Sequence, residues 1–171
     1  RKTMPNAKDA QTTSHRLLAL GDTGGGKTTQ FLTLPGKKFA YLFDANALLS
    51  LRGYDVEYEE YLPDKLNVAA TSLSKGKGDE GGVKASDLYV RWEKSFNEKL
   101  AKGFFDQYDV IGVDSATSFL DMLMDRVLTI NGRFGQWPQQ DDYGPQMVTF
   151  TNVCRALTGL GKTVYMTGHL D

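Results

Sequence analysis

Hydrophobic positions in this chain fall into short unbroken runs, separated by longer stretches in which they recur every three or four residues. The runs are 15–21 (HRLLALG), 39–43 (FAYLF), 108–113 (YDVIGV) and 163–167 (TVYMT). Continuous apolar character over so few residues, bounded by glycine, lysine or aspartate, predicts strands buried within a parallel sheet. The periodic stretches predict helices. Residues 27–34 end at Pro35-Gly36. Residues 87–102 carry Leu88, Trp92, Phe96 and Leu100 at i, i+4 spacing behind Asp87 or Ser86 as a cap. Residues 117–130 stop at Asn131-Gly132, and a helix opened by Pro145 turns Met147, Phe150, Cys154 and Leu157 inward before Gly159 or Gly161. Strand and helix alternate, which predicts an α/β fold with a mostly parallel sheet flanked by helices.

Other stretches are less patterned. Residues 1–14 are polar and read as an unanchored lead-in, and 44–62 are not assigned to an element. Residues 66–70 suit a short strand. The segment 72–86, with four glycines and three lysines, reads as a flexible loop, and 132–143 as an irregular one.

At 171 residues the chain suits a single domain spanning 1–171, large enough to bury a sizeable core. Because it opens on Arg1, the natural start is expected to be lost or trimmed. No apolar run approaches the ~20 residues that span a bilayer, and no signal-peptide pattern opens the sequence, so no membrane partner is expected. Cys154 is the single cysteine, which excludes an intrachain disulfide and fits a reducing, cytoplasmic setting. Its neighbours Val153, Ala156 and Leu157 mark it as a small buried hydrophobe. The net charge of −1 gives no overall basic bias, so any contact with nucleic acid has to rest on a local patch.

The candidate chemistry begins where the first apolar run ends. Gly21-Asp22-Thr23-Gly24-Gly25-Gly26-Lys27-Thr28, with Thr29 following, satisfies the phosphate-loop pattern G-x-x-x-x-G-K-[ST] between a strand and a helix. Glycines let the backbone wrap a phosphate and turn its N–H groups inward, and the helix start points its positive end at the same anion. Lys27 is then expected to bridge the β- and γ-phosphates, with the Thr28 hydroxyl on Mg²⁺. The expected ligands are ATP or ADP and Mg²⁺.

Such a loop needs an acid at a nearby strand end to hold the metal. Asp114 follows Val110-Ile111-Gly112-Val113 and fills that need, the alternative being a cap for the helix at 117–130. Asp109, at the entrance of the same strand, lies away from the carboxyl ends where ligands bind. His169 follows the last strand and is placed to contact the γ-phosphate, or else is an ordinary surface histidine.

With GDTGGGKTT, YDVIGVDSAT, DDYGPQM and KTVYMTGH in hand, the chain from about 15 to 169 resembles the RecA-like P-loop ATPases. It is most similar to phage-encoded nucleotide-binding ATPases associated with DNA recombination and single-strand annealing. The resemblance implies an ATPase acting on single-stranded DNA, in a homo-oligomer, in the host cytoplasm if phage-encoded. Asp114 becomes the Walker B acid, His169 the polar sensor, and the strand before His169 lies between the phosphate-loop strand and the Asp114 strand. The family's glutamate base stands at the end of the second strand, where this chain has Phe43-Asp44-Ala45-Asn46. Asp44 is able to take a proton there and Asn46 is not. RecA-like cores continue past the sensor strand, whereas this sequence stops at Asp171, leaving a fragment, a trimmed chain or a shortened core as alternatives.

The resemblance also implies that the loop at 132–143 reaches DNA, with Arg133 for phosphate and Phe134 and Trp137 for stacking. Asp141 and Asp142 oppose this, and the alternatives are a Trp137 folded back on the core or a DNA contact in the lysine loop at 74–84. Two other function classes compete: a nucleotide-gated binding module without turnover, and a small-molecule kinase. The kinase is disfavoured because only Arg126 and Arg133 lie between Arg91 and Arg155, too few for an arginine-rich lid.

Overall fold

The computed structural model describes residues 14–62 and 85–170. The expected strand at 66–70 and all but the last two residues of the loop at 72–86 lie outside them, as does most of the lead-in. In chain order the elements are β1 (Arg16–Leu20), α1 (Lys27–Leu32), β2 (Lys38–Leu42), α2 (Ala47–Leu51), β3 (Val56–Glu60), α3 (Ala85–Ala101), β4 (Val110–Asp114), α4 (Ala116–Ile130), α5 (Tyr143–Gly159) and β5 (Thr163–Gly168). The strands form one sheet in the order β1-β5-β4-β2-β3, parallel throughout. β5 lies between the phosphate-loop strand and the Asp114 strand, as the resemblance implies.

The apolar runs at β2 and β4 are central and buried on both faces. On one face, α3, α4 and α5 cover Phe39, Tyr41, Phe43, Ile111 and Val113 with Trp92, Phe96, Phe119 and Leu157. Trp92 meets Phe119 edge-on at 4.8 Å between centroids, an arrangement that contributes about 0.5–1.5 kcal/mol beyond the area it buries. On the other face, α1 and α2 bring Phe31, Ala47 and Leu51 against Ala40, Leu42, Val110 and Tyr165.

Three expectations are corrected. The first run forms β1 but at the sheet's edge, where Leu17, Leu18 and Leu20 are exposed. α3 buries Leu88, Trp92 and Phe96 but not Leu100, which has turned outward by the last turn. α5 buries Gln146, Val153 and Leu157; Met147 is exposed, and Phe150 and Cys154 are half-buried. Burial raises the Cys154 thiol pKa, which disfavours the reactive thiolate.

The unassigned stretch 44–62 contains both α2 and the edge strand β3. β3 reads VEYEE, and two of its three glutamates are held by pairing rather than by burial. Glu57 accepts from Tyr108 Oη at 2.5 Å and pairs with Lys37 at 2.8 Å, while Glu59 pairs with Lys99 at 2.5 Å. Charged side chains on an edge strand also discourage unwanted strand pairing.

Candidate functional site

The segment between β1 and α1 curls into an open cradle. Gly24 (φ 80°) and Gly26 (φ 77°) adopt left-handed backbone that side chains disfavour, and a Cβ at either would meet nothing within 4 Å. The glycines are therefore required by backbone shape and by the concavity they leave, not by packing. Gly25 N donates to Asp22 O at 3.1 Å, and Gln30 N to Gly26 O at 2.9 Å, closing the turn onto the helix. Lys27 Nζ donates to Gly21 O at 2.6 Å and Asp22 O at 2.9 Å.

The concavity is the floor of a cavity of about 380 Å³ lined by Thr23, Gly24, Gly25, Gly26, Lys27, Thr28, Thr29, Asp44, Asn46, Ser50, Asp114 and His169. Sequence-predicted residues from four separate segments thus converge on one space. Gly21 and Asp22 serve from behind, through the carbonyls that hold Lys27.

Asp114 ends β4 with both carboxylate oxygens engaged. Thr28 Oγ1 donates to Oδ2 at 2.6 Å, and Thr167 Oγ1, from β5, donates to Oδ1 at 2.5 Å. The capping alternative fails, because Ser115 caps α4: its Oγ accepts from Ser118 N at 3.2 Å. Asp109 sits at the other end of β4, where it accepts from Lys37 N at 2.8 Å. Among the described residues no group of three or more His, Cys, Asp and Glu is arranged to hold a metal ion. One carboxylate and one hydroxyl suit an ion whose other ligands are phosphate oxygens and water, which is how Mg²⁺ is commonly held beside a nucleotide.

Asp44, just past β2, accepts from Ser118 Oγ and meets His169 Nε2 at 3.1 Å. Burial pushes its pKa up, but hydrogen bonds from Ser118, His169 and Ser115 outweigh burial and hold the carboxyl below its ordinary value. His169 N donates to Thr117 Oγ1 at 3.0 Å. Asn46 is exposed at the start of α2 and makes no side-chain capping bond there. Thr117, Ser118 and Thr167 are not among the site residues expected from the sequence. Only the register of β5 against β4, which sets Met166 beside Val113, brings Thr167 level with Asp114.

The loop at 132–143 departs from expectation. Asp142 is 1% exposed and binds Arg133 Nη2 at 2.5 Å, Asn131 Nδ2 at 2.9 Å and Gln139 N at 2.7 Å. The Arg133 bond foremost, then Gln139 N, lowers its pKa to about 2 against the opposing effect of burial. Arg133 therefore staples the loop instead of standing free for phosphate, and Asp142 is neutralised rather than repelling. Trp137 is 91% exposed and does not fold back on the core.

A family model described as an AAA domain matches residues 13–171. A search of curated proteins gave no match. The family match bears on the nucleotide site; the narrower likeness to phage recombination ATPases is no part of it. Among the described residues no helix is long and apolar enough to cross a membrane.

Proposed function

The chain belongs to the AAA domain family of P-loop ATPases, and from that premise we propose that it binds and hydrolyses Mg-ATP in the cavity between the glycine loop and the ends of β2, β4 and β5. The observation that carries the reading is the 2.6 Å hydrogen bond from Thr28 to Asp114, which joins residues 86 positions apart at the mouth of the glycine cradle. A strand-to-helix turn without a ligand has no need of that pairing. Loop N–H groups take the phosphate oxygens, and Lys27 exchanges the carbonyls of Gly21 and Asp22 for the β- and γ-phosphates. Thr28 and Asp114 would hold Mg²⁺, whose contribution when bound would be to stabilise negative charge on the phosphates.

Single-stranded DNA as an effector is a second reading, favoured by Trp137, which is held in solvent on a loop pinned by Asp142. Phosphate release by the purified chain, with and without Mg²⁺ and an unstructured oligonucleotide, tests both. Mg²⁺-dependent release supports the ATPase, and stimulation by the oligonucleotide supports the effector. Nucleotide binding with no release under any condition would replace the ATPase with a nucleotide-gated binding module.

A further inference from the structure

Asp44 and His169 are 125 residues apart and follow different strands, yet they meet at the wall of the nucleotide cavity. How the Asp44 carboxylate is shared decides which of them can take a proton. One oxygen accepts from Ser118, the other faces His169 Nε2, and the bonds around it favour the anion despite burial. A carboxylate stabilised in that way is a weak proton acceptor. The imidazole is differently placed. Nε2 faces an anion, so that nitrogen carries the hydrogen and Nδ1 presents the lone pair. The ring's backbone is held as well, by the bond from His169 N to Thr117 Oγ1. The other charged groups lining the cavity, Lys27 and Asp114, are committed to phosphate and metal, and α4 presents uncharged Thr117 and Ser118 to this corner.

We propose that Asp44 and His169 form a carboxylate–imidazole pair in which His169 accepts the proton of the attacking water and Asp44 is the positioning residue that fixes its tautomer. The step rests on the ATPase reading above. The water oxygen bonds to the γ-phosphorus, and the bond from that phosphorus to the β–γ bridging oxygen breaks. ADP leaves with the electron pair, and one water proton passes to Nδ1. The resulting imidazolium is stabilised by Asp44 until the proton moves on to phosphate or solvent. The pair takes the place of a single strand-end glutamate.

The chain has two histidines, His15 and His169, so nitrogen-15 spectra of its imidazoles are simple to assign. The ligand-free protein is expected to show the Nε2–H tautomer at His169, and Asp44→Asn a mixture of the two. In steady-state assays His169→Gln is expected to lose about 10²–10⁴-fold in kcat, with KM for Mg-ATP held within a few-fold. Free imidazole should restore part of the rate lost in His169→Gly. An Nδ1–H tautomer in the wild type overturns the proposal whatever the variants do. So does an unchanged kcat in His169→Gln, or a loss in His169→Gly that imidazole leaves untouched. A wild type that binds Mg-ATP but releases no phosphate overturns the ATPase reading and this step with it. Turnover that survives His169→Gln overturns the pair alone.

Discussion

Replacing Gly112 with alanine isolates the contact through which the sheet sets the height of the phosphate-loop helix. Gly112 is the middle residue of β4, two before Asp114, and the Phe31 ring of α1 rests on it. A Cβ at 112 would stand 2.9 Å from both Cε2 and Cζ of that ring, where ordinary contact begins at 3.4 Å. Phe31 is buried, with Tyr165 at 5.8 Å between centroids, and the adjoining void measures only about 10 Å³. Something has to shift, and with the ring packed against Tyr165 the helix is expected to lift. Overpacking of this kind costs about 1–3 kcal/mol, which lowers Tm by about 2–12 °C in a chain of this length. The functional cost is separate. Thr28 is one turn from Phe31 on the same six-residue helix, and its bond to Asp114 is 2.6 Å long. Mg²⁺ demands near-ideal geometry from its ligands, so a lifted Thr28 should weaken Mg²⁺ dependence more than nucleotide binding itself. Thermal unfolding followed by circular dichroism, with ATP titrations at several Mg²⁺ concentrations, reads both effects. Adding Phe31→Leu should recover part of the loss by removing the clashing ring. A Gly112→Ala protein with unchanged Tm and unchanged Mg²⁺ dependence would refute the account, and so would a double variant no better than the single.

Three further outcomes are expected. Lys27→Ala should lose most of its affinity for ATP in equilibrium titrations while keeping its Tm within a few degrees, because the side chain's bonds are to loop carbonyls and it fills no core space. Asp114→Asn should reduce Mg²⁺-dependent phosphate release more than ATP binding, since the amide keeps the shape but loses the charge; equal losses in both would point to a distorted loop. Asp142 titrates at about 2, below its ordinary value of 3.8, so its contribution to stability is complete above the ordinary value and is lost as pH falls from there towards 2. Unfolding curves between pH 5 and pH 2 should therefore be steeper in pH for the wild type than for Asp142→Asn, and matching slopes would count against the staple.

The parts legible in the sequence are those whose chemistry is local. The glycine loop carries its spacing within eight residues, and β2 and β4 announce themselves as apolar because both of their faces are covered. Asp114 was legible as a strand end because four apolar or small residues, Val110 to Val113, run into it. β3 was not, because its apolar and polar alternation, Val56-Glu57-Tyr58-Glu59, is only four residues long and its glutamates are held by Lys37, Tyr108 and Lys99 rather than by burial. The exposed leucines of β1 misled in the opposite direction, since an apolar run says nothing about whether a strand is central or at the edge. The hydroxyls of Thr117, Ser118 and Thr167 became part of the site only through register and helix entry, which bring together residues of unremarkable type. Arg133 looked free in the sequence, and the structure commits it to a buried aspartate nine residues on.

The strand order explains why so many polar groups meet at one place. β1 and β4 are separated by β5, roughly two strand spacings of about 4.8 Å, so the chain leaving β1 has to cross β5 to bring Thr28 over Asp114. It does so within residues 21–26, and α1 settles on β5 and β4 rather than on its own strand. Phe31 meets Gly112, and Tyr165 Oη donates to Lys27 O at 2.8 Å. The crossing is what opens the cradle, and the end of β5 fills the space beneath it. Gly168 O accepts from Gly21 N at 3.3 Å, Thr167 holds Asp114, and His169 reaches Thr117 through its backbone and Asp44 through its ring. Three consecutive residues thus touch the loop, Asp114, α4 and the end of β2. A load on the His169 ring is borne by the same short segment that braces Asp114. Binding and turnover should therefore be harder to separate by substitution at Thr167, whose hydroxyl braces the Asp114 carboxylate directly, than at Lys27 or His169.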